Sequence, residues 1–157
     1  MTRPIYLFID AVFYAICLMG IVASFFILGA DFVFPSILHD SRENKLAVAN
    51  FAFSILIMIV FALYYNRITS SLSEKRLSSS RYSGCPLWMR WTSAILAGCG
   101  VALFFSTAIL EWLGIGHVAA HGLPPTVSSG FGLIVNAALP AQLYSIRHSD
   151  LSSLKDS

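Results

Sequence analysis

Four long apolar stretches, at residues 4–30, 46–66, 87–113 and 126–146, take up most of a 157-residue chain. A bilayer core about 30 Å thick is crossed by about 20 apolar residues at helical rise. Each stretch meets that length, and none carries the polar face of a helix lying on the surface of a small soluble domain. The expected fold is all-α: an integral membrane protein with four transmembrane helices in an up-down bundle. Residues 1–157 form a single membrane domain, because what four spans leave over is too short for a soluble one.

Composition supports that class. Hydrophobic residues make up 57% of the chain and charged residues 11%, with a mean hydropathy of +0.74, too little polar surface to wrap a water-soluble core. Arg3 before the first stretch imitates a secretory signal. The apolar run behind it is much longer than a signal core, and Leu28-Gly29-Ala30 is a poor cleavage site, so an uncleaved span is expected. Cys17, Cys85 and Cys99 are scattered, without a paired spacing. They do not form a disulfide framework or the thiol pairs of a membrane oxidoreductase.

Charge sets the orientation. Arg3, Arg67, Lys75, Arg76, Arg81, Arg90, Arg147 and Lys155 fall on one side of the four spans, and only Arg42 and Lys45 on the other. Since Lys and Arg are retained in the cytoplasm, both termini and the linker at about 67–86 are expected inside, across what reads as a bacterial inner (plasma) membrane. The linker is serine-rich and basic, a solvated segment with an attraction to anionic lipid. Tyr64, Tyr65, Trp88 and Trp91 sit where spans two and three meet the headgroups, and Trp112 at the opposite interface. Asp31 with Pro35, and Glu111 with Pro124-Pro125, occupy matching places in the two hairpins, a faint sign of duplication.

The informative residues are the polar ones that a membrane helix keeps at a cost. Asp10 lies inside the first apolar run, where a carboxylate costs a few kcal/mol. It is expected to face protein or water and, near the cytoplasmic interface, to reach headgroups or pair with Arg3 or Arg67, or else to bind a proton or ion. Steps of seven join Arg3, Asp10, Cys17, Ser24 and Asp31 into one seam, flanked by Tyr6, Tyr14 and Gly20, the pattern of a left-handed helix contact. Span four is the least apolar. Its Pro140 has no N–H for the carbonyl of Asn136, so a free acceptor and an amide side chain coincide near mid-membrane, with a kink expected. Asn50 and Ser54 on span two can hydrogen-bond across the same interior.

Ala94, Gly98, Ala102 and Ser106 on span three form a small-residue ridge suited to close approach of another helix, in this chain, a second copy or another membrane protein. On the outer face, His117 and His121 are four apart and Glu111 lies near in sequence, a weak candidate set for a divalent metal; flanking glycines favour ordinary loop histidines. No other cofactor is expected. Phosphate-binding glycine loops, Gly-x-Ser-x-Gly turns and His-Glu-x-x-His helices are all missing from the sequence, which argues against an enzyme. The linker charge is explained by orientation, so nucleic acid is not an expected partner. The leading reading is a non-catalytic protein that acts by helix-helix association within the lipid bilayer, as an accessory subunit of a membrane complex or a protective protein against a membrane-active toxin. The alternative is an oligomeric small transporter or channel for protons, ions or metal.

Overall fold

The computed structural model describes residues 3–33, 41–69, 85–113 and 123–153. They form four helices, α1 (Arg3–Val33), α2 (Ser41–Thr69), α3 (Leu87–Trp112) and α4 (Pro125–Ser153). Prolines mark two of the starts. Pro86 precedes α3 and its carbonyl accepts the Arg90 N–H at 3.1 Å, and Pro125 opens α4 behind Pro124, whose carbonyl accepts the Ser128 N–H at 3.1 Å. Proline suits a first turn because its fixed φ is helical and the N–H it lacks has no partner there. Three helices contain a segment long and apolar enough to cross a membrane: Leu7–Ala30, Lys45–Arg67 and Leu87–Thr107. The fold is a four-helix bundle, and α4 is the helix that falls short of that apolarity.

Packing explains why α4 tolerates its polarity. It touches each of the other three helices, whereas α3 packs almost wholly on α4, and α1 and α2 touch one another more lightly. From Ser128 to Arg147 no described side chain of α4 is exposed. Three helices therefore enclose the fourth, and its serines, amides and glycines are turned toward protein on every side. Neighbouring contacts fix the directions. Gly100 meets Gly130 and Ser93 meets Ala137, so α3 is antiparallel to α4. Asp10 near the start of α1 meets Tyr64 and Arg147 near the ends of α2 and α4, so α1 opposes both.

The inward residues of α1 are Asp10, Phe13, Cys17, Gly20, Ser24 and Ile27, and those of α2 are Ala47, Asn50, Ser54, Ile57 and Phe61. Both series step alternately by three and four, the 3.5-residue repeat of left-handed packing. The seam through Asp10, Cys17 and Ser24 is thus real. In the middle of the bundle Phe13, Cys17, Ile57, Phe61, Val135, Leu139 and Leu143 form a continuous apolar cluster, with the Phe13 and Phe61 rings 5.6 Å apart. Polar side chains lie on both sides of that cluster along the bundle axis.

Candidate functional site

At one end of the bundle, α1, α2 and α4 each contribute one side chain to a compact ionic cluster. Arg147 Nε donates to Asp10 Oδ2 at 2.8 Å and Arg147 Nη2 to Asp10 Oδ1 at 3.2 Å. The Tyr64 hydroxyl donates to Asp10 Oδ1 at 2.8 Å and accepts from Arg147 Nη2 at 2.5 Å. The guanidinium also lies 5.7 Å from the centre of the Tyr64 ring. A two-pronged arginine–carboxylate contact fixes direction as well as distance. With the two side chains only 22% and 11% exposed, losing one partner strands a poorly hydrated charge. Asp10, Arg147, Tyr144 and Cys85 all lie within electrostatic range of Tyr14. Burial pushes the Cys85 thiol up from its ordinary value, with Arg90 acting against the shift, so at neutral pH Cys85 stays a thiol and a poor nucleophile.

Beyond the apolar cluster lies a second, uncharged polar zone. Ser128 Oγ donates to the Ala47 carbonyl at 2.6 Å. Asn50 Nδ2 faces Ser24 Oγ at 3.4 Å and both the carbonyl and the hydroxyl of Ser128 at 3.3 Å. Asn136 Nδ2 donates to the Gly132 carbonyl at 2.8 Å and faces Ser54 Oγ at 3.5 Å. Because carbonyl oxygens only accept, both amides must present nitrogen on these sides. Ser24 and Ser54 return their hydroxyl protons to carbonyls four residues back in their own helices, Gly20 and Asn50, at 2.9 Å each. Asn50 Oδ1, Asn136 Oδ1, Ser129 Oγ and Thr126 Oγ1 are buried without a hydrogen-bond partner. A buried group left so costs about 1–3 kcal/mol.

Glycines make this zone possible. A Cβ on Gly20 would sit 2.5–2.6 Å from the Asn136 amide, and one on Gly132 would meet Ser24 Oγ and Asn50 Nδ2. On the α3 side, a Cβ on Gly100 would lie 2.6 Å from the Gly130 carbonyl oxygen. One on Gly130 would lie 2.6 Å from both the Gly100 carbonyl oxygen and the Phe104 nitrogen. The two backbones therefore touch, and Ser93 Oγ completes the contact by donating to the Ala137 carbonyl at 2.8 Å.

The residues singled out from sequence are distributed unevenly over these features. Asp10 is buried, and the base that pairs with it is Arg147, where the sequence points to Arg3 or Arg67 and offers Arg147 only as one of eight orienting charges. Asn136 is fully buried, and α4 runs on through Pro140. Of the span-three ridge, Ala94, Gly98 and Ala102 face outward, with nothing within 4 Å of a Cβ on Gly98. Ser106 is half-buried, and its hydroxyl donates to its own helix at the Leu103 carbonyl. The close approach to α4 uses the neighbouring stripe through Ser93, Gly100 and Phe104 instead. His117 and His121 lie outside the described residues, as does the Glu111 side chain. Among the described residues no three His, Cys, Asp or Glu side chains are grouped to hold a metal. Tyr64 and Gly20 enter the sequence reading only as an interface anchor and a seam flank; the 3.5-residue step reaches Gly20 from Asp10 on α1 and Tyr64 from Phe61 on α2. Ser128 and the Gly100–Gly130 pair lie on helices that this step does not cover, and their roles come from the structure.

No known protein family matches the chain, and neither does a curated protein or a solved structure.

Proposed function

We propose that the chain is a four-spanning protein of a bacterial inner membrane, with both termini in the cytoplasm, and that it acts without catalysis by helix-to-helix contact. It would serve as an accessory subunit of a larger membrane complex or as a protective protein against a membrane-active toxin. One observation carries this reading. The polar groups are turned inward and tied to each other, whereas α3 buries only 6% of its span within the chain, against 28% for α1 and for α2. The Ala94–Gly98–Ala102 stripe lies on that bare surface, and close approach of small residues is a principal means of association in lipid, where apolar surface alone supplies no drive. The ionic cluster serves the same end. Asp10, Tyr64 and Arg147 largely satisfy one another, which holds three helices in register and presents no reactive group to a substrate.

Transport by an oligomer remains the second reading, supported by a carboxylate and an amide buried inside apolar helices. The apolar cluster between Asn136 and Asp10 weighs against it, since it separates the two polar zones. Native mass spectrometry of gently solubilised protein tests the first reading. A complex with a second copy or another membrane protein, weakened by Gly98→Leu, is the expected result; a strict monomer with no copurifying protein overturns it.

A further inference from the structure

We infer that the polar half of the α1–α2–α4 interface is hydrated: ordered water is held at Asn50 and Asn136 and stops at the apolar cluster. The unpartnered buried oxygens point to it. Thr126 Oγ1, Ser129 Oγ, Asn50 Oδ1 and Asn136 Oδ1 all belong to this half of the bundle, and among the described residues none is found in the ionic half. Ser129 and Asn136 are fully buried, and Asn50 is 6% exposed.

The hydroxyls of this zone are held at 2.6–2.9 Å, but its two amides reach their partners on neighbouring helices only at long range. Asn50 Nδ2 reaches its three acceptors at 3.3–3.4 Å and Asn136 Nδ2 reaches Ser54 at 3.5 Å, whereas the ionic cluster closes at 2.5–3.2 Å. Asn136 Nδ2 keeps its 2.8 Å bond to the Gly132 carbonyl, so a bridging molecule replaces only the long cross-helix reach of the two amides. Pro140 adds one more acceptor, since it has no N–H to offer the Asn136 carbonyl.

The chemistry selects water among possible ligands. The zone mixes amide oxygens, which only accept, with hydroxyls, which both donate and accept, and water complements both. Among the described residues a metal cation finds no carboxylate there, and it meets the amide N–H groups of Asn50 and Asn136. An apolar ligand would leave the oxygens unpaired. Ordered water is a recognised means of satisfying backbone freed by proline in a membrane helix, and a buried water takes about three hydrogen bonds. The water stops where Cys17, Ile57, Leu139 and Leu143 form the apolar cluster.

This inference rests on the reading that the chain spans a bilayer, and it is independent of helix association. Water-edited solid-state NMR on the labelled full chain in phospholipid bilayers tests it, with lipid-edited transfer to Leu18 and Val22 reporting separately whether α1 is in the bilayer. The expected result is that water magnetisation reaches the Asn50 and Asn136 side-chain amides several-fold faster than the Leu139 and Leu143 methyls. Amides as slow as those methyls would show a dry interior and overturn the inference. Methyls as fast as the amides would overturn it too, because the water would then not stop at the apolar cluster.

Discussion

Helices α3 and α4 share their longest interface and differ in everything else. α3 meets the length and apolarity of a membrane span and leaves Trp88, Trp91, Ile95, Phe105 and Ile109 exposed. α4 falls short of that apolarity and is covered all round by α1, α2 and α3. In water an apolar helix is hidden and a polar one shown. Here the order is inverted, as the lipid environment proposed for the chain would require: surface polarity is costly there, and polar groups gather where other helices can satisfy them. The contact between α3 and α4 depends on glycine because neither helix gains much from burying apolar surface that lipid would cover as well.

The largest effect expected of a single small change lies at that contact. Gly100→Ala places a Cβ 2.6 Å from the Gly130 carbonyl oxygen, a backbone atom that cannot swing aside. The two helices must separate, at a cost of about 3 kcal/mol or more, the upper range for overpacking. Reversible unfolding in mixed micelles reads that cost. A loss under about 0.5 kcal/mol, the range of a neutral surface change, would mean that α3 is not seated on α4 as described.

The ionic cluster ranks next. Removing one partner of a fully buried pair costs about 3–5 kcal/mol. The Arg147 side chain retains 22% exposure, so Asp10→Asn is expected to cost about 2 kcal/mol. Asp10→Leu combined with Arg147→Met should cost less than either single change, because no charge is left stranded. Losses that simply add would show that the two residues do not act as a pair. Tyr64→Phe removes two hydrogen bonds and no charge; about 1 kcal/mol is expected.

Gly20 and Asn136 form a third, softer contact. Gly20→Ala brings a Cβ to 2.5 Å from the Asn136 amide, the end of a side chain that can rotate. A cost of about 1–2 kcal/mol is expected, and Asn136→Ala in the same chain should recover most of it, as coupled neighbours do. Equal costs of Gly20→Ala with and without Asn136 would remove the contact from the account.

The sequence made the helices legible because length and apolarity decide membrane segments almost alone, and the seven-residue step from Asp10 revealed the inward face of α1. It left the partners unread. Arg147 sits just past an apolar run, where a base reads as an interface charge, and only the antiparallel register of α1 and α4 brings it to Asp10. The small-residue ridge shows the limit of composition more sharply. Ala94, Gly98 and Ala102 are smaller throughout than the stripe of Ser93, Gly100 and Phe104, so a one-helix pattern points to the face that does not meet its neighbour. The choice of face is made by Gly130 on α4, since backbone-to-backbone contact needs glycine on both sides.

The smallest expected effect is therefore the most discriminating. Gly98→Ala makes the same chemical change as Gly100→Ala, two residues away in the same helix, but its Cβ enters open space. Alanine is the better helix former by up to about 1 kcal/mol, so stability should hold or rise slightly. A marked loss would mean that the outward stripe packs within the chain. Gly98→Leu extends the test to association: unfolding should again be unmoved, while any complex that uses this stripe weakens, because a leucine holds a neighbouring backbone away. Unchanged stability with an unchanged complex would shift the association surface off α3 altogether, and the difference between its two faces would then be one of packing within the chain alone.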